Sequence, residues 1–192
     1  MTKSLLISIQ PQHLLNILNG DKTYEVRKVV PKWVLEALDR GETVEAYLYC
    51  TKGKPYLYTS YATNEDGYTY IDGYGLTSLS YEPSILNGTI PVKVVIDGYE
   101  KIDNEPYHHD WLKFGKQACL NEEQWYQYFT WSKTGGGYAL HISKVEILDE
   151  VMKLWDFHIG DNCITDPKEY HMSNDYGSIT RPPQNMMIVW VK

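Results

Sequence analysis

Between Leu5 and Pro31 the spacing of apolar residues changes period twice. Leu5, Ile7 and Ser8 read as the end of a strand, and Pro11 suits the first turn of a helix, where its missing amide proton would be unpaired anyway. Leu14, Ile17 and Leu18 then fall at i, i+3 and i+4, one apolar stripe, and Gly20 is placed to take the left-handed conformation that stops the helix. From Lys22 the pattern alternates. Thr23, Glu25 and Arg27 project from one face of a predicted strand, Tyr24 and Val26 from the other. Trp33, Val34, Ala37 and Leu38 make a second amphipathic helix that ends at Gly41, with Arg40 beside the negative end of its dipole.

Further along, Val44, Ala46, Leu48 and Cys50 alternate with Glu45, Tyr47 and Tyr49, a half-buried strand that runs into the basic turn Thr51-Lys52-Gly53-Lys54-Pro55. Residues 56–71 read as a hairpin around Asn64-Glu65-Asp66-Gly67, since Asp-Gly tolerates the positive backbone angles of a tight turn. A looser stretch to Gly88 precedes strict alternation of Ile90, Val92, Val94 and Ile96 within a strand over 89–102. Asn121 followed by Glu122, Glu123 and Gln124 resembles a capping box, and Trp125, Tyr128 and Phe129 form an aromatic stripe expected to pack in the core. The strand over 138–148 carries a phase break: Leu140 and Ile142 are out of step with Val145 and Ile147, and one extra residue near Ser143 or Lys144, a β-bulge, restores register. His141 within it is expected to be buried and hydrogen-bonded. A short helix or turn and a polar loop reach Tyr170, and 186–192 reads as a closing strand.

With 192 residues and 43% hydrophobic content, the chain is long enough for one well-cored domain over 1–192. The 17 tyrosines and 6 tryptophans can stack on bases, but core filling is the default reading. A net charge of −7 argues against avid binding along duplex backbone, which needs many lysines and arginines to neutralise phosphates. Any nucleic-acid contact should be local, in a small basic pocket around Lys22, Arg27, Lys28 and Lys32. The acidity would equally suit a protein that binds a basic partner. Cys50, Cys119 and Cys163 include no C-x-x-C pair, and neighbouring side chains in His108-His109-Asp110 point apart, so no disulfide framework, metal or cofactor is expected. Gly135-Gly136-Gly137 reads as too flexible to be structure in itself, and it lacks the Lys-Ser/Thr ending of a phosphate-binding loop. Without a signal peptide or an apolar run of spanning length, a soluble cytoplasmic protein with no membrane partner is expected.

Glu25 and Arg27, two residues apart on one strand face, lie about 7 Å apart along the chain, able either to flank a small planar ligand or to pair on a solvated face, where such a pair contributes little. The ordered set Ser8-Ile9-Gln10-Pro11, Gly20, Lys22, Thr23, Glu25 and Arg27, with Arg181-Pro182-Pro183-Gln184 before the last strand, resembles the ASCH family of PUA-like proteins, in particular its longer bacterial and phage members. The resemblance implies an α+β fold, a PUA-like β-barrel with flanking short helices, here with an inserted β-hairpin and insertions at about 51–88 and 150–180. It also implies a cleft beside the G-x-K-T-x-E-x-R strand that holds RNA or a modified nucleoside or nucleotide. Lys22, Thr23, Glu25, Arg27, Lys28, Thr51, Lys52 and Gln184 are the expected ligand-binding residues. Lys22 and Arg27 would meet phosphate or carbonyl oxygens, and Glu25 would accept from an amine or ring N–H. Small ASCH hydrolases place a nucleophilic threonine three residues after the lysine, where this chain has Glu25. An enzyme would therefore be a different hydrolase, acting on RNA or a modified nucleoside, with Glu25 as general base and Lys22 as electrostatic stabiliser. A third reading is a phage-type interaction protein that masks a host or defence factor through its aromatic, acidic surface.

Overall fold

The computed structural model describes residues 2–79, 84–103, 110–130, 136–159, 179 and 181–191. Its strands are β1 (Thr2–Ile9), β2 (Tyr24–Arg27), β3 (Val44–Cys50), β4 (Tyr56–Thr63), β5 (Thr69–Thr77), β6 (Ile90–Ile102), β7 (Gly137–Met152), β8 (Phe157–His158) and β9 (Met186–Val191). The α-helices are α1 (Pro11–Leu18), α2 (Lys32–Asp39) and α3 (Glu122–Thr130), with a π-helical turn at Trp111–Gly115 and a 3₁₀ turn at Leu154–Asp156. Seven strands form one mixed sheet in the order β2-β7-β6-β3-β1-β9-β8, whose two ends are not joined to each other among the described residues, while β4 and β5 pair separately. Among the described residues only β1 and β3 pair in parallel, and their connection through two helices and β2 is long enough for the crossover that parallel pairing needs.

Both faces of the sheet are covered. Leu5, Ile7 and Ile9 of β1 pack with Leu14 and Ile17 of α1 and Val34, Ala37 and Leu38 of α2. Leu6, one residue out of phase, packs on the other side with Tyr47, Tyr49, Phe157 and Val189. A third cluster, Val26, Ile102, Phe114, Trp125, Phe129 and Ala139, seals the β2–β7 end under α3. The α3 cap is reciprocal: the Asn121 backbone N–H donates to Gln124 Oε1 at 3.0 Å and the Gln124 N–H to Asn121 Oδ1 at 2.9 Å. The phase break in β7 is a bulge at Ser143, since Val95 faces Lys144 while Ile96 faces Ile142.

Several features depart from the sequence expectations. The hairpin extends to Thr77 rather than Ile71, and its base is anchored, with Leu57 fully buried in the core beneath α1. Gly136 and Gly137 are structured: Gly137 opens β7, where a Cβ would sit 2.5 Å from the Arg27 carbonyl oxygen. His141 is half-exposed rather than buried, its Nδ1 2.6 Å from Asp97 Oδ1. The bulge that leaves Asp97 unpaired on β6 turns it toward the histidine. Residues 110–119 form helical turns that periodicity did not signal. His108, His109, Gly135, Cys163 and most of 150–180 lie outside the described residues. No helix among the described residues is long and apolar enough to cross a membrane.

Candidate ligand-binding cleft

The cleft forms where the ends of three elements meet. The last residues of β1 (Ser8, Ile9), Gln10, the first turn of α1, and β2 with Lys22 before it make three of its walls; Thr51, Leu120, Tyr128 and Gln184 complete a hollow of ≈ 300 Å³. Backbone bonds pin the rim: Ser8 N–H donates to the Asn185 carbonyl at 3.2 Å and Thr51 N–H to the Ile9 carbonyl at 2.9 Å. The Ser8 hydroxyl donates to the Pro183 carbonyl at 2.7 Å. At the floor lies a buried charge triad. Lys22 Nζ is 3.1 Å from Glu25 Oε2, and Arg27 Nη2 is 2.7 Å from Glu25 Oε1. Lys22 also donates to the Ala118 carbonyl at 2.8 Å, while Arg27 donates to the Ser8 carbonyl at 2.9 Å and Asn185 Oδ1 at 2.8 Å.

No protein-family model and no curated protein sequence matches the chain. Among solved structures it resembles ASCH from Zymomonas mobilis, with a TM-score of 0.53, 16% identity, and coverage of 98% of this chain and 87% of that one. A serine-to-alanine variant of that protein gives a TM-score of 0.54 at 16% identity over 98% and 88% of the two chains. A tyrosine-to-phenylalanine variant gives 0.54 at 16% over 100% and 91%. The chain has the ASCH fold.

On this ASCH fold, five of the eight sequence-expected residues, Lys22, Glu25, Arg27, Thr51 and Gln184, come together around one cleft. Three do not line it. Thr23 is engaged through its backbone, accepting from Ile142 N–H at 2.8 Å and donating to the Gln117 carbonyl at 2.9 Å. Lys28 places Nζ 4.8 Å from the Tyr128 ring centroid and is not among the lining residues. Lys52 is exposed and lies along Gly88. His13, absent from the expected set, and Tyr128, expected in the core, also line the cleft. The signals were a lone imidazole beside the α1 stripe and the one member of the aromatic stripe on its outer flank.

Glu25 and Arg27 are not a solvated surface pair; both are buried. Burial alone would raise the Glu25 carboxyl, but Lys22 and Arg27 outweigh it and hold the group below the ordinary carboxylate range. His13 is pushed below the ordinary imidazole value by burial first and by Lys22 second. Burial raises the Tyr128 phenol. With two cations to one carboxylate and a neutral histidine, the ASCH-fold cleft carries a net single positive charge.

Proposed function

We propose that the protein binds RNA, or a nucleoside or nucleotide including modified forms, in this cleft. The observation that carries the reading is the convergence of Lys22, Glu25 and Arg27, fixed by mutual ion pairs, with Gln184, Thr51 and the Tyr128 ring in a hollow suited to one base. On this reading the long, bulged strands β6 and β7 curl the sheet into the wall of a pseudobarrel beside which the base sits. The oriented triad supplies directional polar contacts, and Tyr128 supplies an apolar face against which a ring can rest. The hydrolytic alternative is weaker, since a carboxylate held by two cations is a poor proton acceptor and Glu25 as general base would have to break both pairs.

The test is a titration of nucleosides, short single strands and duplexes across a salt series, with Gln184→Ala as control because Gln184 lines the cleft yet is exposed. We expect saturable binding of nucleosides or short single strands with a shallow salt slope, weakened severalfold in Gln184→Ala at unchanged thermal stability. Binding that scales with duplex length and falls steeply with salt, or no binding at all, overturns the reading.

A further inference from the structure

The donors of the triad are largely occupied. Lys22 is 3% exposed and Arg27 9%, and both give hydrogen bonds to Glu25 or to backbone carbonyls. They do not form the open cationic surface that a phosphate dianion requires. His13 is different. Its ring lines the cleft, its Nδ1 is sealed from solvent without a partner, and it makes no hydrogen bond among the described residues, so Nε2 is the nitrogen that opens on the cleft. A proton on Nδ1 would leave a buried donor unpaired, whereas a bare lone pair there is the smaller defect. The neutral Nε2–H tautomer follows.

We propose that His13 is an outward hydrogen-bond donor of this cleft, reading a neutral carbonyl oxygen through Nε2–H, so that the ligand class is a lactam base of the uracil, guanine or hypoxanthine type. The inference rests on the nucleobase-binding reading above and narrows it. Lys22, Glu25 and Arg27 are the charged groups acting on the ring, and the two cations oppose its protonation. The carbonyl therefore meets an uncharged donor, while Glu25, still holding a free lone pair on each oxygen, accepts from the adjacent ring N–H. Cytosine and adenine present an exocyclic amine where this edge has its carbonyl, and would set donor against donor.

Two measurements on the full chain test this. In calorimetric titrations with uridine, guanosine, cytidine, adenosine and the 5′-monophosphates, we expect the lactam nucleosides to bind about tenfold more tightly than the amino ones, with the 5′-phosphate adding less than about threefold. His13→Ala should lose about tenfold for uridine and erase the preference, and His13→Gln, which keeps an N–H near the same place, should recover most of it. Equal or reversed preference, a phosphate-dominated affinity, or an unaffected His13→Ala overturns the assignment while leaving nucleobase binding standing. Absence of binding to every nucleoside and RNA brings down both. Independently of any ligand, ¹⁵N chemical shifts of His13 should report the neutral Nε2–H tautomer from pH 7 to 8, and an imidazolium or an Nδ1–H tautomer at pH 7 overturns the proposal.

Discussion

Glu25 has each carboxylate oxygen held by a cation, and those cations are themselves inside the protein. Removing the anion alone leaves two buried positive charges facing each other, a loss on the order of 3–5 kcal/mol when one partner of a buried pair is deleted. Glu25→Gln should therefore lower the denaturant midpoint markedly, and a midpoint within experimental error of the parent would mean that the triad is solvated. This differs from what the sequence implies, since two charges on one strand face read as a surface pair with little effect on stability. The pairing was legible at that level. The burial was not, because the groups that enclose it, Ala118 and Asn185, lie 96 residues from Lys22 and 158 from Arg27. The pH dependence follows from the two depressed groups. Glu25 keeps its full contribution above its ordinary value of 4.5 and loses it as pH falls through the lower folded value. His13 costs nothing above its ordinary 6.5, but below it the unfolded chain takes up the proton first, which again favours unfolding. Stability should thus decline in two stages on acidification, the first beginning below pH 6.5 and removed by His13→Gln. A curve flat from pH 7 down to 5 would contradict the first stage. Cys50, whose thiol burial pushes up to about 12, should resist alkylation in native protein at pH 8 and react on unfolding, as peptide mapping would report.

At the scale of elements, the strand and helix positions that carry strict periodicity emerged where the pattern placed them: α1, α2, β3, β6 and the Ser143 bulge. Three features escaped it. The helical turns after Asp110 have no repeating apolar stripe, His141 depends on a second bulge in β6, and Gly136-Gly137 looks like slack when read locally. What makes Gly137 obligatory is a neighbour. It stands where β7 meets β2 at Arg27 and β6 at Ile102, with the Phe129 ring 2.8 Å and the Arg27 carbonyl oxygen 2.5 Å from where a Cβ would be. The Arg27 backbone cannot yield without disturbing the strand that presents Glu25 and Arg27. Gly137→Ala should cost about 1–3 kcal/mol by overpacking and should weaken ligand binding as well, while Gly98→Ala, at a site with open space, should do much less. Equal effects from the two would show that the close approach is not what fixes β2.

For the whole molecule, the question is whether the β4–β5 hairpin is an appendage or part of the frame that holds the cleft. Its outer half carries exposed Tyr61, Tyr68, Tyr70 and Ile71. Its inner half is anchored. Leu57 is fully buried in the cluster shared with α1 and α2, the Leu57 N–H donates to Asn87 Oδ1 at 2.8 Å, and the Asn87 amide donates to the carbonyls of Thr51 at 3.1 Å and Gly53 at 2.7 Å. Since Thr51 lines the cleft and α1 supplies His13, the hairpin base braces two of its walls at once. Leu57→Ala should therefore cost about 2–5 kcal/mol, the range for a leucine removed from a packed core, and the loss should appear in the same cooperative transition that unfolds the main sheet. A substitution at the tip, Glu65→Lys, should stay within about 0.5 kcal/mol because the residue is exposed. Hydrogen exchange separates the alternatives: if the hairpin belongs to the frame, Leu57→Ala raises exchange in α1 and at Thr51 along with β4. If exchange rises in β4 and β5 alone, the hairpin is an appendage, and the cleft is held without it.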